Sequence, residues 1–191
     1  DHLGGVLLIV IIIAALIAAA WRSHKVAFAD SLTGFGNKRS YLDMTNQLEA
    51  KIREGKADFA VAVFDLNGLK NINDSYGHEF GDMAIKDLSK MLGKTFENAH
   101  LYRFGGDEFI AISKNSTLEE MRQRFAQLDL ELERAGHVAQ PYGIPLSVAK
   151  GAAVFIPETD TSYSQVFDRA DREMYDDKRV YYETHGDRRR S

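Results

Sequence analysis

From Leu3 to Trp21 the chain reads LGGVLLIVIIIAALIAAAW, with no charge and no strong hydrogen-bonding side chain. A helix of that length rises about 28 Å, which matches a bilayer core. The pattern predicts a transmembrane helix over residues 1–22, with a buried core helix as the competing reading. A secretory signal peptide would carry basic residues before a shorter apolar stretch. Here Arg22 and Lys25 follow it. By the positive-inside tendency the Arg22 side is cytoplasmic. Because the first residue is Asp1 rather than Met, an extracytoplasmic part is expected upstream.

After a short linker over 23–30 the periodicity is that of a packed domain, expected over 31–185. Tyr41, Met44, Thr45, Leu48 and Ile52 form a helical stripe over Ser40–Arg53 that ends at Gly55. FAVAVFDL, Phe59 to Leu66, is a short continuous apolar run and reads as a buried strand. A polar helical turn follows Asn67-Gly68, then Phe80, Met83, Ala84, Leu88, Met91, Leu92 and Phe96 share one helical face. Leu101–Phe104 and Phe109–Ile112 read as strands joined by a two-residue hairpin turn at Gly105-Gly106, with positive φ angles. Thr117 and Glu120 form a capping box before a helix carrying Leu118, Met121, Phe125, Leu128 and Leu132. Leu146–Ile156 is a further strand and Gln165–Glu183 a last amphipathic helix. This order predicts an α/β (α+β) domain: a mostly antiparallel sheet flanked by helices. Residues 186–191 read as a basic tail, disordered and suited to touching anionic lipid.

Composition narrows the chemistry. The 191 residues contain no cysteine, which removes thiolate metal sites, cysteine nucleophiles and disulfides. The net charge of −4 argues against a broad nucleic-acid surface, so no nucleic-acid partner is expected. A small anionic ligand needs only local positive charge and stays open.

The hairpin tip, Arg103-Phe104-Gly105-Gly106-Asp107-Glu108-Phe109, sets two carboxylates after two residues without side chains, where backbone can approach a bulky ligand. Successive strand residues face opposite sides, so Asp107 and Glu108 reach one atom together only if the turn distorts the pleat. Asp65 closes the first strand, and meeting the hairpin carboxylates it would form an oxygen-rich site for Mg²⁺.

These segments resemble the GGDEF-domain diguanylate cyclases over about Asp30–Arg179. Gly105-Gly106-Asp107-Glu108-Phe109 stands as the complete signature. Asp30-Ser31-Leu32-Thr33-Gly34 is similar to the family's D-x-L-T-G segment, followed by Asn37-Lys38-Arg39. Asp65-Leu66-Asn67-Gly68-Leu69-Lys70, Asn73-Asp74, Gly77-His78 and Gly81-Asp82 match a third segment in every spacing, and Ala170-Asp171, Met174-Tyr175 and Lys178 a fourth.

The resemblance implies a ferredoxin-like, polymerase-palm-like sheet that condenses two GTP into cyclic di-GMP and two pyrophosphates. It implies two Mg²⁺ or Mn²⁺ ions per site, held by Asp65, Asp107 and the Leu66 carbonyl, and Asp107 as acceptor of the 3′-hydroxyl proton, with Glu108 the second choice for base or metal. It implies guanine recognition by Asn73 and Asp82: an amide bonds O6 or N3, and a carboxylate accepts from N1 and N2. Lys70 and Lys178 are the expected phosphate contacts, His78 a nucleotide or turn residue, and Gly105 and Gly106 the close backbone approach. Phe64 and Phe109 are read as core. One subunit holds one GTP, so a homodimer is expected, anchored through the first helix in a bacterial inner membrane with the catalytic domain cytoplasmic.

Four positions depart from the family pattern. Phe96-Glu97-Asn98-Ala99 stands where product-inhibited members carry R-x-x-D, so no inhibitory site is expected. Arg179-Val180-Tyr181-Tyr182 follows Lys178 where a phosphate-contacting Arg is usual. Phe35 replaces a Leu, and Lys150 stands at a strand position usually small or apolar. Two other functions stay open: a silent module that binds GTP or a partner, and a palm enzyme that uses ATP.

Overall fold

In the computed structural model, which describes residues 2–137 and 145–185, every residue of strand β1 (Phe59–Leu66) is buried. Both of its faces are covered, which is why the run is continuously apolar. Ala60, Ala62, Phe64 and Leu66 pack against α3 (Leu69–Tyr76), α4 (His78–Thr95) and α5 (Leu118–His137). Phe59, Val61 and Val63 pack against α2 (Lys38–Arg53) and α6 (Tyr163–His185).

Strands β2 (His100–Arg103), β3 (Glu108–Lys114) and β4 (Val148–Val154) complete a four-stranded sheet in the order β2-β3-β1-β4. Its neighbouring strands are antiparallel, and the register sets Asp65 opposite Glu108 on β3 and Ala149 on β4. The α+β sheet expected from the sequence is therefore present.

The open edge of β4 is capped by side chains of α6. Asp177 accepts the Lys150 N–H at 3.0 Å, Glu173 accepts the Ala152 N–H at 2.9 Å, and Arg169 donates to the Val154 carbonyl at 2.8 Å. Spaced by four, the three lie along one face of the helix and blunt an edge that would otherwise pair with another chain. A Cβ on Gly151 would run into the α6 backbone at Ala170 and Met174, so only glycine lets helix and strand lie this close. Lys150 has an account as well: its ammonium reaches Asp129 of α5 at 2.7 Å.

Helix caps follow the sequence chemistry. Asn37 accepts the Arg39 and Ser40 N–H groups and starts α2 two residues before the apolar stripe. Thr117 and Glu120 exchange both capping-box bonds, at 2.7 and 3.2 Å.

Two expectations are corrected. The hairpin turn is wider than two residues: residues 104–107 separate the strands, and Gly105 and Gly106 are absent from the positive-φ glycines. The Phe104 and Gly105 N–H groups both turn to the Glu108 carbonyl, at 3.0 and 3.5 Å, and the Arg103 guanidinium holds the Gly106 carbonyl at 2.8 Å. A side chain thus closes the loop, and positive φ is not needed.

The second concerns the N-terminus, where helix α1 (His2–Phe28) continues without a break into the stretch expected as a linker and ends two residues short of its limit. No Gly or Pro lies between Gly5 and Gly34 to stop it. Among the described residues no helix is long and apolar enough to cross a membrane. The Trp21 and Arg22 side chains and the basic tail over 186–191 lie outside the described residues.

Candidate functional site

The site forms where β1 ends beside the β2–β3 loop. The Leu66 N–H donates to the Asp107 carbonyl at 2.9 Å, which ties the end of β1 to the loop. The next N–H, that of Asn67, donates to the Ser147 carbonyl at 2.8 Å. Asp65 is buried, and Lys178 on α6 donates to its Oδ2 at 2.6 Å. A buried carboxylate is tolerable only with such a counter-charge.

Glu108 follows Asp107 but turns back over the loop. A Cβ on Gly105 would lie 2.9 Å from Glu108 Oε2, so the bare glycine makes room for this carboxylate. A Cβ on Gly106 would point into open space; its contribution is the carbonyl that Arg103 grips. Burial pushes the Glu108 carboxyl above its usual range, and the charges of Asp107 and Asp65 push it further, with Lys178 opposing and Asp171 adding to the rise. The charges of Asp65 and Asp107 thus both act on Glu108.

Arg103 bridges this loop to the turn that precedes α2. Its guanidinium pairs with Asp30 at 3.3 Å while it holds Gly106. Asp30 also accepts the Thr33 N–H and hydroxyl, at 2.9 and 2.7 Å. Burial raises the Asp30 carboxyl, but the Thr33 bonds and the Arg103 charge outweigh it and hold it below the usual value.

A second cluster lies on α3 and α4. Gly68 opens α3 at φ +74° and Gly77 separates the helices at φ +93°, both left-handed conformations that glycine adopts without strain. Among the described residues Asn73 Oδ1 is buried without a hydrogen-bond partner, and it sits against Gly81, where any Cβ would displace it. Asp82 follows on α4 and is exposed, as are His78 and Lys70.

The structure thus brings together Asp65, Leu66, Gly105, Gly106, Asp107, Glu108 and Lys178, and separately Asn73, Gly81 and Asp82. Lys70 and His78 stand on the surface beside the second cluster. Sequence reasoning missed the Arg103–Asp30 pair and the field of Asp171; each lies in a quoted motif, but nothing in the spacing joins the motifs. Among the described residues no group of three or more His, Asp and Glu side chains converges to hold a metal ion by itself.

The departures take definite places. Phe96 is fully buried with its ring edge-on to Phe64 at 5.2 Å, a core residue. Phe64 and Phe109 are core too. Phe35 packs edge-on against Phe109 at 6.2 Å. Arg179 is exposed and pairs within α6, with Asp176 at 3.3 Å.

A family model described as "Diguanylate cyclase, GGDEF domain" matches residues 27–181. The chain is 33% identical over 172 residues to diguanylate cyclase DgcP of Pseudomonas aeruginosa, covering 85% of this chain and 25% of that protein. It is 31% identical over 144 residues to an uncharacterized membrane protein of Staphylococcus epidermidis, covering 74% of this chain and 40% of that one. The chain therefore spans well under two thirds of these relatives. Among solved structures, the GGDEF domain of DgcB from Caulobacter crescentus in complex with c-di-GMP superposes with a TM-score of 0.71 at 26% identity, covering 81% of this chain and 91% of that one.

Proposed function

Because the chain belongs to the diguanylate cyclase GGDEF-domain family, we propose that it joins two GTP molecules into cyclic di-GMP and releases two pyrophosphates. One observation carries this reading: Asp65, buried at the end of β1, stands opposite Glu108 in the β1–β3 register, and the next residue, Leu66, is hydrogen-bonded to the Asp107 carbonyl.

The donors suit Mg²⁺ or Mn²⁺, since all are hard oxygens and the like charges that raise Glu108 are a surplus that a divalent cation offsets. Asp65, Asp107 and the Leu66 carbonyl would hold two such ions, with nucleotide phosphates completing their shells. Bound there, the ions supply charge neutralisation at the attacking and leaving oxygens.

The remaining roles fall to the chain's own residues. In each half-reaction a ribose 3′-oxygen forms a bond to the α-phosphorus of the other GTP. The bond from that phosphorus to the β-phosphate oxygen breaks, and Asp107 takes the hydroxyl proton. Glu108 is the alternative acceptor. Lys178 and Lys70 offer positive charge to the triphosphate. Asn73 and Asp82 hold the guanine, with His78 at the nucleotide side of the same turn, and the bare loop at Gly105-Gly106 lets the nucleotide approach. Two bonds need two nucleotides face to face, so the working form is a homodimer with one GTP on each subunit. The palm-like reading of the sheet rests on this chemistry.

The uncharged apolar run Leu3–Trp21 supports a membrane anchor, with the catalytic domain on the cytoplasmic side. Val6 to Ile17 are exposed along it, Leu16 to 65%, and the staphylococcal relatives are named membrane proteins. Full recovery of the chain without detergent after high-speed sedimentation would overturn the anchor.

The test of the reaction is incubation of the full chain with GTP and Mg²⁺, with products separated by chromatography. Cyclic di-GMP forms, and Asp107→Asn abolishes it. GTP bound without product would leave the silent module; product from ATP, indifferent to Asn73→Ala, would leave an ATP-using enzyme.

A further inference from the structure

The face of α6 that carries Lys178 continues to Tyr181, three residues on. That step adds about 4.5 Å along the helix, beyond the level at which Lys178 meets Asp65 at the end of β1. Tyr181 accordingly reaches the turn that follows the strand. Its hydroxyl stands 3.8 Å from the point that a Cβ on Gly68 would occupy. Two residues beyond Gly68 comes Lys70, in the first turn of α3. The hydroxyl therefore lies against the turn where the elements carrying the two lysines proposed for the triphosphate meet.

Both the turn and the ring are held. The Asn67 N–H donates to the Ser147 carbonyl at 2.8 Å and its Nδ2 to Ser147 Oγ at 3.1 Å, which fixes the turn to the residue that precedes β4. Tyr181 is half-buried, and its ring packs edge-on against Tyr182 at 5.3 Å. Burial, and then Tyr182, push the Tyr181 hydroxyl above its usual value, so at neutral pH it is an uncharged donor. Arg179, the nearest guanidinium in sequence, lies about 100° round the helix from Lys178. It is exposed and pairs within α6, with Asp176 at 3.3 Å and Glu183 at 3.9 Å.

We propose that Tyr181 is a substrate-binding residue whose hydroxyl donates a hydrogen bond to a terminal phosphate oxygen of GTP at the Gly68 turn. The assignment rests on the proposed cyclase reaction and adds a residue to its nucleotide site. In that reaction the α-phosphate lies at the carboxylates of β1 and the β2–β3 loop, where the new bond forms. The β- and γ-phosphates then extend past Lys178, and the next donor along that face of α6 is Tyr181.

The test compares the full chain with Tyr181→Phe, which keeps the ring and removes only the donor. KM for GTP rises about tenfold with kcat within about twofold, as loss of one hydrogen bond to a charged acceptor requires. Inhibition of cyclic di-GMP formation by pyrophosphate weakens by a similar factor. Inhibition by GMP, which lacks the terminal phosphates, stays as in the parent, whereas disturbed packing would weaken both inhibitors together. Arg179→Gln leaves all these constants unchanged. An unmoved KM, an equal loss for GMP and pyrophosphate, or an Arg179→Gln variant that matches Tyr181→Phe overturns the assignment. A parent chain that forms no cyclic di-GMP overturns the cyclase reading itself, and this assignment with it.

Discussion

Lys178 on α6 donates to the Asp65 carboxylate at the end of β1 across 2.6 Å, with side-chain exposures of 23% and 4%. This pair ties the last helix to the carboxylate proposed to hold the metal. Lys178→Met removes the counter-charge of a buried group. The loss is about 2 kcal/mol, below the figure for fully buried pairs because Lys178 keeps some water. Asp65→Asn with Lys178→Met loses less than the single lysine change, since the double variant carries no charge at the buried position. A double-mutant cycle on urea unfolding measures the coupling, and simple additivity would refute it.

The Arg103 bridge makes a different prediction. Arg103 touches Asp30 and the Gly106 carbonyl, and in the proposed reaction no substrate atom, so it is a positioning residue. Arg103→Met lowers kcat for cyclic di-GMP formation about tenfold through misplacement of the loop that carries Asp107, with KM for GTP within about twofold. Stability changes with it in a pH-dependent way. The Asp30 carboxyl is held below its unfolded value near 3.8, so its contribution is present above that pH and is lost as pH falls through the folded value. In Arg103→Met this acid-labile part shrinks. A KM that rises with kcat unchanged would mean that Arg103 meets the nucleotide directly.

How far the sequence reached depends on the range of the interaction. The order of elements was legible because apolar periodicity is local, as in FAVAVFDL and in the Thr117–Glu120 box. The form of the β2–β3 turn was not, since a guanidinium from Arg103, not the local preference of Gly105-Gly106, decides its width. Lys150 had no sequence account because its partner Asp129 lies on another element, and the α6 cap of the β4 edge is hidden for the same reason. Motif spacing led to Asp65, Asp107 and Lys178, but only the antiparallel register sets Asp65 opposite Glu108.

Gly81→Ala tests the second cluster. On α4 alanine favours the helix over glycine by about 1 kcal/mol. Its methyl, however, would take the place of Asn73 Oδ1 and turn that amide away. Thermal stability stays within a few degrees of the parent while KM for GTP rises about tenfold, the loss of one base-directed hydrogen bond. Asn73→Ala has the same effect on KM, and in its presence Gly81→Ala adds nothing. A Gly81→Ala protein with an unchanged KM would remove Asn73 from guanine recognition.

The Glu108 carboxyl gives the last prediction, and its sign is opposite to that of Asp30. Burial comes first among the causes of its raised value, followed by the charges of Asp107 and Asp65. A carboxyl whose folded value lies above the unfolded one, near 4.5, holds its proton more tightly in the native state. Between the two values the folded chain binds more protons than the unfolded, so stability falls as pH rises through that window. Glu108→Gln removes the liability without changing the shape of the side chain. In metal-free buffer the variant equals the parent below pH 4.5 and is more stable from the folded value upward, by a constant margin at neutral pH. Urea midpoints across the acid-to-neutral range read this out. An equal margin at both ends would trace the gain to packing, and a less stable variant at neutral pH would mean that the charge of Glu108 is compensated within the fold. The same variant keeps a neutral oxygen beside Gly105, so any loss of cyclic di-GMP formation reports the missing negative charge and not a collapsed loop.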